Sequence, residues 1–205
     1  MRNGRLQEPG TRADLTQCDV LQFAKHMVKA VVLVLAIALT GCASSTIVIR
    51  SYDAGLSAVR TANPQMKLST GHDPAVTDGA VLVVDYPAAT GNPAGRDVWC
   101  ETQSTDWTTG RAISFRAKAD HAMRLSVSFM DRNGVAYTSW TDLRDGEWQS
   151  VRIAFAQIRP NPYFQPPGAK TGAPLDVSEV KGIGFAPQDP GTGRIAISRF
   201  VVVAD

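Results

Sequence analysis

The chain has 205 residues, 44% of them hydrophobic and 20% charged, with 21 Lys/Arg against 19 Asp/Glu. Residues 1–41 hold five of the basic residues (Arg2, Arg5, Arg12, Lys25, Lys29) and three of the acids (Glu8, Asp14, Asp19), so the remaining 164 residues balance sixteen against sixteen. A neutral stretch of that length suits one domain with a sizeable core, and it excludes nucleic-acid binding, which draws on excess positive charge.

Residues 1–26 show no periodic apolar pattern. Lys25 and Lys29 then precede an unbroken apolar run from Ala30 to Leu39, too short to span a bilayer, with small residues after it. A basic start, a short apolar segment and small residues at a cleavage point define a signal peptide; Met27 offers an alternative start to Met1. The tetrad Leu39-Thr40-Gly41-Cys42 resembles the lipobox of bacterial lipoproteins. That resemblance implies cleavage before Cys42, acylation of its thiol (palmitate among the acyl chains) and a lipid-anchored protein of the cell envelope. By the same likeness, Ala43 rather than Asp after the cysteine implies the periplasmic face of the outer membrane in a Gram-negative cell. Cys18 would be removed and Cys42 acylated, which leaves Cys100 without a disulfide partner. A lone cysteine in a strand reads as a small buried hydrophobe.

Residues 42–65 are expected to be the lipidated cysteine and a tether, with Ile47–Ile49 a brief strand and residues 54–62 one or two helical turns. From Met66 to Asp205 the pattern is that of a β-sandwich: short runs of period two, spaced by turn residues every 8–12 positions or so. The expected strands are 66–69, 80–86, 96–103, 111–118, 123–131, 135–141, 148–155, 180–187 and 194–203. Val98, Cys100 and Thr102 share one face, Ile113 and Phe115 point inward, and Leu125, Val127 and Phe129 alternate with outward Ser126 and Ser128. Asn133-Gly134 predicts a hairpin turn, since both residues tolerate positive φ. Residues 159–174 form a Pro-rich loop, long enough to be either functional or pinned by its prolines.

The second half has a distinctive order. Trp148 opens an alternating strand to Phe155; Ile158, the Pro-rich loop and Leu175-Asp176-Val177 follow, then Val180-Lys-Gly-Ile-Gly-Phe185, a Gly turn and a final apolar strand. This resembles the galactose-binding-like jelly rolls, and most nearly the family 11 carbohydrate-binding modules and the complex I intermediate-associated protein 30 domain. The resemblance implies an all-β jelly-roll sandwich that binds a glycan or assists assembly of a protein complex. Such modules often carry a structural calcium held by an Asp in the last strand. Here Ser198 stands at that place, and a hydroxyl is a poor ligand for a hard cation, so no cofactor is expected.

For catalysis the chain offers little. Only His72 and His121 follow Cys42, both in turn-like stretches that read as exposed loops. No nucleophile elbow, zinc motif or phosphate loop is present, and Asp73, Asp78 and Asp85 lack calcium-loop spacing. Asp97 and Glu101 would share a strand face roughly 13 Å apart, too far for a glycosidase pair. For binding, the same face shows Asp97, Trp99 and Glu101, an indole between two carboxylates. That mixture suits a sugar, whose C–H face stacks on an aromatic ring while its hydroxyls donate to carboxylates. Trp140 joins this set, although its strand alternates ambiguously; Arg116 and Arg152 point outward and would add donors. Trp107 and Trp148 read as packing residues, and Tyr163 and Phe164 would cap either the core or a groove.

The sequence thus predicts a membrane-anchored, noncatalytic module for carbohydrate or cell-envelope glycan. The first alternative is an assembly lipoprotein that binds a protein partner through a sheet face or the Pro-rich loop. The second is a glycan-active enzyme with carboxylates supplied by neighbouring strands.

Overall fold

The computed structural model describes residues 46–90 and 93–204. The signal peptide, the lipobox and Cys42 lie outside the described residues. Among the described residues, thirteen strands form two antiparallel sheets packed face to face.

In the first sheet, β6 (Ala112–Ala119) is central. One edge takes β9 (Gln149–Ala154). The other takes both β12 (Gly193–Ile197) and β13 (Phe200–Val203). Beyond them lie β1 (Ile47–Arg50) on β13, β4 (Val81–Tyr86) on β12, and β3 (Lys67–Gly71) on β4. The second sheet runs β10 (Arg159–Pro160), β8 (Ala136–Leu143), β7 (Met123–Asp131), β11 (Val180–Pro187), β5 (Val98–Glu101), β2 (Val59–Thr61).

The inward residues form one apolar core. Leu125, Val127 and Phe129 face it from β7, Ile113 and Phe115 from β6, and Ile183 and Phe185 from β11, all at 3% exposure or less. Trp107 is wholly buried, stacked on Phe155 and edge-on to Phe129, and its Nε1 donates to the Ser104 carbonyl at 2.9 Å. Phe200 packs between Phe115 and Phe185. Cys100 is buried under Tyr52, and desolvation pushes its thiol up to about 11.

Three expectations change and one gains detail. The sandwich takes in residues 47–50 and 59–61 of the stretch foreseen as tether, because β1 and β2 pair within it. Residues 54–62 are not helical: Gly55 turns the chain at φ 81°, and Val59 is drawn into pairing with Cys100. The last strand is broken at Ser198-Arg199. There Ser198 is buried, its hydroxyl accepting the Arg116 N–H at 2.7 Å and its own N–H donating to the Arg116 carbonyl at 2.9 Å. That hydroxyl serves the backbone, so residue 198 does not fit a calcium ligand. Finally, only Gly134 of the Asn133-Gly134 hairpin has positive φ (72°). Asp131 caps the turn instead, accepting the N–H groups of Asn133 and Val135 at 2.9 and 3.0 Å. A three-residue loop closed by one left-handed glycine is the result.

Candidate functional site

The outward face of the second sheet carries a groove of about 1350 Å³. Its floor follows from register. Trp99 on β5 faces Gly184 on β11, which faces Ser128 on β7, which faces Thr138 on β8. One row along, Ser126 faces Trp140. Trp99 and Trp140 are therefore three strand spacings apart and offset by one row, roughly 16 Å along the sheet.

Trp99 lies flat because β11 has no side chains beneath it. A Cβ at Gly182 would sit 2.2 Å from the Trp99 ring, and one at Gly184 would sit 2.8 Å from it. Real Cβ atoms do not approach so closely, so only glycine admits the ring here. The indole rests one face on peptide backbone and presents the other to the groove.

Trp140 is 43% exposed while its neighbour Ser139 is buried. This resolves the ambiguous alternation of β8 against simple hydrophobicity: Tyr137, Ser139 and Leu143 face inward, and the largest apolar ring faces water. Between the two indoles stand Ser126 and Thr138, whose hydroxyls bond one another at 3.2 Å, together with Ser128.

The Pro-rich loop forms a wall. Gln165 fastens it to the edge of β8 as a strand would. Its Oε1 accepts the Ala136 N–H at 3.1 Å, and its Nε2 donates to the Ala136 carbonyl at 2.7 Å and the Asn161 carbonyl at 3.0 Å. Asn161 Oδ1 accepts the N–H groups of Tyr163 and Phe164. So held, Tyr163 and Phe164 line the groove at 88% and 59% exposure.

Asp97, at the foot of β5, lines the groove beside Trp99. Water reaches it, yet the surrounding walls desolvate its carboxyl enough to push it up to about 6. It is the only carboxylate among the lining residues. Glu101 shares its strand face and pairs with Arg60 on β2, the residue directly across from Trp99.

Arg116 and Arg152 lie on β6 and β9 of the opposite sheet, and the structure does not bring them to the groove. Strand neighbours are set by topology, which outward alternation cannot reveal. Arg116 instead lies 5.6 Å over Trp148 and donates to the Ala75 carbonyl. Trp148 Nε1 in turn donates to Asp73 at 2.9 Å, and that bond, with the Ala75 N–H, holds the Asp73 carboxyl below its ordinary range.

One structural residue escaped the sequence reading altogether. Arg96 is 2% exposed, and its guanidinium donates to four carbonyls: Pro87 at 3.3 Å, Gly191 at 3.0 Å, Pro187 at 3.1 Å, and Asp189. It also lies 5.3 Å over the Tyr86 ring. Arg96 thereby fixes the 187–191 loop, from which Gln188 enters the groove next to Asp97. Nearby, His121 is half-buried rather than exposed. It bonds Asp120 at 2.8 Å and Asp189 at 3.2 Å. Desolvation acts to lower its pKa, but those two carboxylates outweigh it and raise it. Among the described residues, no group of three or more His, Cys, Asp or Glu is placed to hold a metal ion.

A scan of family models finds no match to the sequence, and a search of curated proteins finds none either. Solved structures do match. A family 11 carbohydrate-binding module from Clostridium thermocellum, in complex with a β-1,3-1,4-mixed-linked tetrasaccharide, is 19% identical with a TM-score of 0.60. The match covers 79% of this chain and 97% of that one. The solution structure of CtCBM11 gives a TM-score of 0.62 at 19% identity, over 80% and 98%. An exo-β-agarase is 14% identical at 0.54, covering 79% of this chain and 25% of the agarase. At these identities the likeness establishes the fold, an antiparallel jelly-roll sandwich.

Proposed function

We propose that this protein is a noncatalytic carbohydrate-binding module whose site is the groove between Trp99 and Trp140. The observation that carries the reading is the pair of outward indoles flanking a hydroxyl-lined floor. Two flat apolar surfaces take the C–H faces of sugar rings while Ser128, Thr138 and Asp97 meet their hydroxyls. The tetrasaccharide complex of a similarly folded module supports this class of ligand. A noncatalytic role is supported by the carbohydrate-binding modules whose fold the chain shares. On a glycan array, Trp99→Ala and Trp140→Ala are each expected to lower retention at least about tenfold, as loss of a central aromatic anchor does. Retention equal to the parent would remove this site assignment.

The proposal extends to a lipid anchor at Cys42, supported by the Leu39–Cys42 tetrad. Cells fed labelled palmitate are expected to label the parent and not a Cys42→Ala variant. A second reading, docking of a protein partner, draws on the exposed Tyr163 and Phe164. Capture of one defined partner with no glycan retained would favour it.

A further inference from the structure

The charges around the groove are unevenly matched. Glu101 has Arg60, and Asp142, at the far end of the same face, has Arg124 Nε at 3.0 Å. Asp97 has neither a hydrogen-bond donor nor a cation among the described residues. It lines the groove beside the aromatic platform of Trp99. An ionised carboxylate in that position gains most from a ligand that brings its own positive charge. A neutral hydroxyl supplies one donor; an ammonium supplies three donors and the counter-charge. The adjacent indole adds to the same preference, because a cation over an aromatic face is attracted by its quadrupole.

We infer that Asp97 makes the groove selective for glycans bearing free ammonium groups, the 2-amino-2-deoxy sugars, over neutral glycans. The inference rests on the groove being a glycan site, and it adds the chemical class of the sugar. The raised carboxyl of Asp97 agrees with it: a cation beside the group would draw it back toward its ordinary range, and that differential is available as binding energy.

The test is calorimetric titration of the full chain, near pH 6.5, with three hexasaccharides: glucosamine, N-acetylglucosamine and cello-oligosaccharide. The glucosamine oligomer is expected to bind about tenfold or more tightly than either neutral one. The Asp97→Asn variant is expected to bring the three to parity. Glu101→Gln, which removes an acid already paired, is expected to keep the preference and so separates Asp97 from general attraction of a polycation. Equal binding of all three by the parent, or a preference that survives Asp97→Asn, overturns the inference and leaves the glycan site standing. Failure of the parent to bind these oligomers or any glycan on the array removes the site itself and the inference with it.

Discussion

At the scale of single residues, the groove depends on two absences. Gly182 and Gly184 leave the space that the Trp99 ring occupies. Gly184→Ala is expected to tilt the indole off the sheet, lowering glycan affinity about tenfold with a loss of stability near 1–2 kcal/mol from the displaced contact. Glycan titration and urea unfolding of the same variant read the two effects separately. Asp97 makes a second prediction. Its carboxyl is raised to about 6, against an ordinary value near 4. Between those values the folded state binds more protons than the unfolded chain, so this group makes stability fall as pH rises through that window. Asp97→Asn is expected to flatten the slope of Tm against pH from about 4 to 6 and to raise Tm slightly at neutral pH. A slope unchanged from the parent would count against a desolvated carboxylate. Little of this was legible in the chain. Asp97 and Trp99 could be found from period two alone. The reason Trp99 lies flat belongs to a strand eighty residues away, and no local pattern signals it.

At the scale of elements, strands with clean alternation were readable and irregular ones were not. Residues 123–131 and 180–187 coincide with the expected strands because their apolar residues alternate or run continuously between turns. Strand β8 resisted, since it buries Ser139 and exposes Trp140. The strand expected over 194–203 is two, because Ser198 turns its hydroxyl to the backbone of β6. Two loops are held by polar side chains, which hydrophobic patterns do not register. Arg96 binds the 187–191 loop through three carbonyls and Pro87 through a fourth, and these carbonyls and the Tyr86 ring meet its buried charge. Arg96→Met leaves those acceptors without donors, and urea denaturation is expected to show a loss of about 3 kcal/mol. Gln165→Ala frees the Pro-rich loop from β8. Faster amide exchange confined to 161–170, with the midpoint of unfolding shifted by about 1 kcal/mol, is the expected result.

At the scale of the whole molecule, sheet partnership decided which residues share a site. Arg116 and Arg152 point outward as expected, but from the other sheet. Outwardness is a local property, whereas strand order requires the tertiary fold. The core encloses Cys100 with its thiol raised to about 11, so a thiol reagent is expected to modify Cys100 of the native protein only at the rate of unfolding, and rapidly in denaturant. Stability also carries a histidine signature. His121 is raised by Asp189 and Asp120 against its desolvation, so its contribution is present below the ordinary histidine value near 6.5 and is lost as pH rises through the higher folded value. A His121→Asn variant is expected to lose that fall in Tm above neutrality.

The floor of the groove is main chain at Gly182 and Gly184, and that limits how its specificity can diversify. No side chain at either position is compatible with the platform, so selection for a new ligand works on the residues around it: the floor hydroxyls of Ser126, Ser128 and Thr138, and Asp97, Gln188, Tyr163 and Phe164 at the rim. In a saturation library sorted for altered glycan preference, changes at these residues are expected to be enriched and the two glycines to stay invariant. The groove is thus an evolvable border around a fixed centre.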